Sequence, residues 1–123
     1  MLKLVLIFVA AGVGGVARYG LHTLLQRSGS FPIGTLVVNV LGCFAIGFAA
    51  VTFSNLTNVR EEYRLAVIVG LLGGFTTYST FAIETYQLLE GRQFVAAALN
   101  IVLSAALGLL GVWCGMRFAE RLA

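Results

Sequence analysis

The run Gly73-Gly74-Phe75-Thr76-Thr77-Tyr78-Ser79-Thr80-Phe81 gathers hydroxyls, aromatic rings and glycines inside an otherwise apolar stretch. A helix interrupted in hydrocarbon leaves carbonyl and N–H groups that protein, water or an ion must satisfy. Broken helices at mid-membrane are also where transport proteins hold their ions. The residue types therefore place a break in the third apolar segment, and any site of this chain at that break.

Other polar groups sit at spacings that can converge on it. Thr35, Asn39, Gly42 and Ile46 fall on one face of a helix. The Asn39 amide offers N–H donors and an acceptor, suited either to bonding a neighbouring helix or to donating to an anion. Thr77, Phe81 and Glu84 share a second face, with Tyr78 and Phe81 about one turn apart. Aromatic rings are positive at their edges, so this pair can meet an anion or simply pack. Glu84 is the only carboxylate within an apolar run, where it can carry protons, line a vestibule or lie at the interface near Tyr86. Asn100, Ser104, Gly108, Gly111 and Gly115 form a small, polar stripe that reads mainly as packing, with Ser104 able to lend a hydroxyl. Arg18 either snorkels to an interface or attracts anions in a water-filled vestibule.

The elements that must position these groups follow from hydropathy. Of 123 residues, 59% are hydrophobic and 11% charged, with mean hydropathy +0.97. A soluble domain carries about 25% charged residues, so this chain belongs in a lipid bilayer. Apolar runs cover about 2–25, 33–53, 65–89 and 94–116, each long enough as a helix to cross a hydrocarbon core of about 30 Å. The connections are Gln26–Pro32, Ser54–Arg64 and Glu90–Gln93, the last short enough to force a hairpin. The first run, without a clear cleavage site, is expected to be a retained span. The fold class is thus an all-α integral membrane protein, one domain over 1–123, with four transmembrane helices and the third broken near its middle. Gly70-x-x-x-Gly74, Gly111-x-x-x-Gly115 and Ala11-x-x-x-Gly15 serve close packing, either within one bundle or between subunits.

The net charge of +3 does not point to nucleic acid, because the basic residues flank the apolar runs as membrane anchors do. Lys3, Arg60, Arg64, Arg117 and Arg121 fall on one side of a four-span chain, against Arg27, Arg92 and Arg18 on the other, which favours a cytoplasmic N-terminus. No enzyme is expected: aspartate is absent, and His22 has no evident partner for a hydrolytic triad or a metal site. Cys43 and Cys114 read as small free hydrophobes.

Across nearly its whole length the chain resembles the Fluc (CrcB) family of fluoride channels. The likeness rests on Gly12-Val13-Gly14-Gly15-Val16-Ala17-Arg18-Tyr19, on Pro32-Ile33-Gly34-Thr35-Leu36-Val37-Val38-Asn39 with Gly42 and Gly47, and on the Gly73–Phe81 run with Glu84. Gly91-Arg92 and Asn100 follow at the family's distance. The resemblance implies a fluoride-selective passive channel that exports cytoplasmic fluoride, built as an antiparallel, dual-topology homodimer with two pores in the cell (inner or plasma) membrane of a bacterium. It also implies roles. Asn39 donates to fluoride, Tyr78 and Phe81 form the pore-lining aromatic pair, and Ser79, Thr80 and Thr35 occupy polar positions of the pathway. Arg18 stands at the vestibule, and Glu84 is the acidic residue after the aromatics. Backbone carbonyls of Gly73 and Thr76 from both subunits hold a structural sodium ion at the dimer interface. Two positions depart from the family's pattern. Tyr78 replaces the usual phenylalanine, and Gly108 stands where a serine is expected, which leaves Ser104, one turn earlier, as the span-four pore hydroxyl. The competing class is a small four-span multidrug/proton antiporter, which needs a carboxylate in span one where this chain has none. A purely structural membrane subunit is a third class, and it predicts no flux without a partner.

Overall fold

Glycine spacing decides how closely the helices of this chain approach. The computed structural model describes all residues except Arg27, Ser28 and Ser30. Helix α1 spans Leu2–Leu25 and α2 spans Ile33–Asn55. Helix α3 covers 61–75, α-helical at Glu61–Leu65 and Gly73–Phe75 and widened to π-helical winding over Ala66–Leu72. After a two-residue interruption come α4, Tyr78–Glu90, and α5, Phe94–Leu122. The segments Leu2–Leu25, Ile33–Asn55, Glu61–Glu90 and Phe94–Leu122 are each long and apolar enough to cross a membrane. Among the described residues there is no strand.

Helix α1 packs along α3, and α2 along α5. Both contacts depend on missing side chains. A Cβ on Gly14 would collide with the carbonyl of Leu71, and one on Gly74 with the carbonyl of Ala11. Gly70 lies against Ile7 and Ala10, while Gly111 and Gly115 lie against the backbone of Val40 and Phe44. The Gly70/Gly74 and Gly111/Gly115 patterns therefore serve packing within this chain. At Gly12 and Gly15 an added methyl would meet nothing within 4 Å, so both positions are open. Large apolar side chains such as Phe8, Val16, Val95 and Leu109 face outward, which suits a lipid solvent.

The ends of the bundle are tied by polar groups. Lys3 Nζ lies 3.6 Å from Glu61, so the N-terminus shares an end with the α2–α3 connection. Arg27, assigned by charge counting to the opposite end, lies outside the described residues. At that end the Gln26 side chain caps α2: its Oε1 accepts the Gly34 N–H at 2.9 Å and its Nε2 donates to the Phe31 carbonyl at 3.1 Å. Helix α4 closes with the Arg92 N–H on the Leu89 carbonyl and the Gln93 N–H on the Leu88 carbonyl, a Schellman arrangement. Its left-handed position belongs to Arg92, at φ 56°, and not to the neighbouring Gly91. Between α4 and α5, the buried Asn100 amide donates to Thr85 Oγ1 at 2.9 Å.

Candidate functional site

The break is built by redirecting hydrogen bonds. Thr76 (φ −84°, ψ 159°) and Thr77 (φ −151°, ψ 117°) are extended, and α4 restarts at Tyr78. In a continuous helix the Thr77 N–H would bond the Gly73 carbonyl. Here it bonds Asn39 Oδ1 at 2.8 Å, and Asn39 Nδ2 donates back to the Thr77 carbonyl, also at 2.8 Å. The Thr80 N–H, which would bond the Thr76 carbonyl, instead reaches Thr77 Oγ1 at 3.2 Å, the N-cap of α4. The Gly73 and Thr76 carbonyls thus lose their helical donors. Gly42 makes the room: a Cβ there would strike the Thr76 methyl.

Around this break lies a cavity of about 590 Å³ between α2, α3, α4 and α5. It brings together six of the residues singled out by sequence: Asn39, Gly73, Thr76, Tyr78, Phe81 and Ser104. The Asn39 amide has two N–H groups and spends one on Thr77, which leaves a donor beside the cavity. The Tyr78 and Phe81 rings pair at 5.7 Å with a 43° tilt, and Tyr78 is 81% exposed on the single chain. Gly73 is exposed as well, so the site opens on the chain's flank.

A second cavity of about 240 Å³ lies toward α1 and gathers Arg18, His22, Thr35 and Thr80. Thr77 lines both cavities. The Thr35 hydroxyl donates to Glu84 Oε1 at 2.9 Å, and His22 Nε2 lies 3.5 Å from the same oxygen. Glu84 is therefore turned inward against α1 and α2. Ser79 is exposed, its hydroxyl 3.4 Å from Thr77 Oγ1. The predicted residues fall into two clusters, then, joined by a threonine to which sequence reasoning assigns no site role. Its signal is present, since a threonine directly before a helix restart is a preferred N-cap residue. His22 has no partner that sequence alone can show, and Glu84, 62 positions away, supplies one.

As a cation site the break offers oxygens of one kind. Among the described residues no three His, Cys, Asp or Glu side chains converge. The freed Gly73 and Thr76 carbonyls suit a hard cation such as sodium, which takes oxygen ligands.

Residues 5–116 match the family described as CrcB-like protein, Camphor Resistance (CrcB). The chain belongs to the CrcB family. A relative from Geobacter sulfurreducens named fluoride-specific ion channel FluC is 44% identical over 126 aligned residues, covering 99% of this chain and 100% of its own. One of the same name from Coxiella burnetii is 40% identical, covering 98% of this chain and 100% of its own. Another, from Nitratidesulfovibrio vulgaris, is 43% identical, covering 94% and 95%. The CrcB match spans every site residue from Arg18 to Ser104, so the break and both cavities lie within the matched residues.

Proposed function

We propose that this CrcB-family protein is a fluoride-selective passive channel that releases cytoplasmic fluoride and so protects the cell. The observation that carries the reading is the convergence of a spare Asn39 N–H and the Tyr78–Phe81 ring pair on one cavity at a helix break. Three CrcB relatives bear the name fluoride-specific ion channel.

Fluoride is small and tightly hydrated, so a pore must replace its water with short, well-aimed donors. The Asn39 N–H, the hydroxyls of Ser104, Ser79 and Thr80, and the positive ring edges of Tyr78 and Phe81 supply them, while Thr35, whose proton goes to Glu84, borders the path without donating to it. None is a full positive charge, so the anion is held strongly enough to enter and weakly enough to leave. Arg18, in the second cavity, draws anions toward the narrow part from a vestibule. With 100 mV across the membrane, inside negative, each outgoing fluoride gains about 2.3 kcal/mol, so a passive pore suffices.

The exposed flank carrying Gly73 and Tyr78 is where a second, antiparallel copy completes the walls, giving two pores per homodimer in the bacterial inner membrane. Gly73 and Thr76 carbonyls from both copies would hold a structural sodium, which when bound adds positive potential beside the anion path. The antiporter reading has less support, because α1 carries no carboxylate. The test is fluoride efflux from liposomes holding the purified protein, read with an electrode. Phe81→Ile is expected to cut that efflux while the dimer persists; undiminished efflux from the variant contradicts the assigned pore.

A further inference from the structure

We propose that Thr77 is a positioning residue for the cation site: its hydroxyl holds the Thr80 N–H and so keeps the Thr76 carbonyl out of the helical ladder. The assignment rests on the sodium reading above. Thr77 is 9% exposed, and its Oγ1 both accepts the Thr80 N–H at 3.2 Å and donates to Thr80 Oγ1 at 2.9 Å. No neighbouring hydroxyl does the same work. The Thr76 hydroxyl is committed to the Leu72 carbonyl at 3.0 Å, and Ser79 sits 3.4 Å from Thr77 Oγ1.

Without the Thr77 hydroxyl, the Thr80 N–H loses the acceptor that holds it at the helix start, and it must find another. The acceptor four residues back is the Thr76 carbonyl. Taking it up rewinds one turn of α4 backward and removes an oxygen from the cation. Asn39 does the matching work on the other side of the break, drawing the Thr77 N–H away from the Gly73 carbonyl. Two side chains thus hold open the two oxygens, and one of them, Asn39, also faces the anion cavity.

The experiment is thermal unfolding of the full-length protein in lipid nanodiscs, with sodium chloride replacing N-methyl-glucamine chloride at constant ionic strength. Sodium is expected to raise the wild-type midpoint saturably. Thr77→Val is expected to raise the half-saturating sodium concentration about fivefold, the effect of a lost helix cap. Thr77→Ser, which keeps the hydroxyl, restores the wild-type value, and Thr77→Cys falls between. Should the valine variant not fold, the cysteine-to-serine comparison decides by the same ordering. Equal half-saturation across the series overturns the role of Thr77 alone. A wild-type midpoint indifferent to sodium overturns the cation site and this assignment with it, whatever the fluoride efflux shows.

Discussion

Replacing Asn39 with alanine tests whether the amide holds the break or merely lines a cavity. The variant removes two hydrogen bonds at once, both 2.8 Å long and both to the backbone of Thr77. Side-chain hydrogen bonds inside membrane proteins have measured about 0.6 kcal/mol on average and about 1.7 at most. Two of them on one peptide place the loss at about 1–3.5 kcal/mol. The assay is equilibrium unfolding in mixed dodecylmaltoside and sodium dodecylsulfate micelles, followed by far-ultraviolet circular dichroism. Thr35→Val is a useful companion, since it removes a single bond, to Glu84, and should cost about half as much or less. A stability of Asn39→Ala within about 0.5 kcal/mol of wild type would refute the clamp and return Asn39 to a purely anion-facing role.

Other outcomes follow from the packing and from the α4–α5 turn. Gly14→Ala should destabilise by about 1–3 kcal/mol, because its methyl collides with the Leu71 carbonyl, whereas Gly12→Ala, with open space around it, should be neutral or stabilising in the same unfolding assay. Arg92→Gly should stabilise by about 1 kcal/mol, since it puts glycine at the left-handed position of the Schellman turn; a loss of stability would mean that the arginine side chain outweighs the strain.

The break itself is legible from sequence because its cause is local. Glycines and consecutive hydroxyl residues at 73–80 compete with the helix over a few positions, and the extended pair Thr76–Thr77 lies among them. Aromatic pairing of Tyr78 with Phe81 is equally local, a matter of helical spacing. The partners of Asn39 and Glu84 are not legible. Asn39 meets Thr77 across 38 positions, and Glu84 meets Thr35 across 49, and no periodicity within one helix fixes which rotation brings such groups together. Those rotations are set by the glycine contacts of α1 with α3 and of α2 with α5. Small-residue spacing leaves open whether Gly70, Gly74, Gly111 and Gly115 face their own chain or another, and their collisions with Ile7, Ala11, Val40 and Phe44 assign them to their own. The π-helical winding at Ala66–Leu72 has no sequence sign, for those residues are apolar and carry no helix breaker beyond Gly70.

The central claim is selective passage of a small, hard-to-dehydrate anion, and paired efflux reads it directly. Liposomes containing the purified protein, loaded with equal potassium fluoride and potassium chloride, are opened to potassium flow by valinomycin while two electrodes follow the two halides. A rapid rise in external fluoride with chloride at the level of protein-free vesicles is the predicted result. Chloride leaving as fast as fluoride, or neither leaving, would contradict the account.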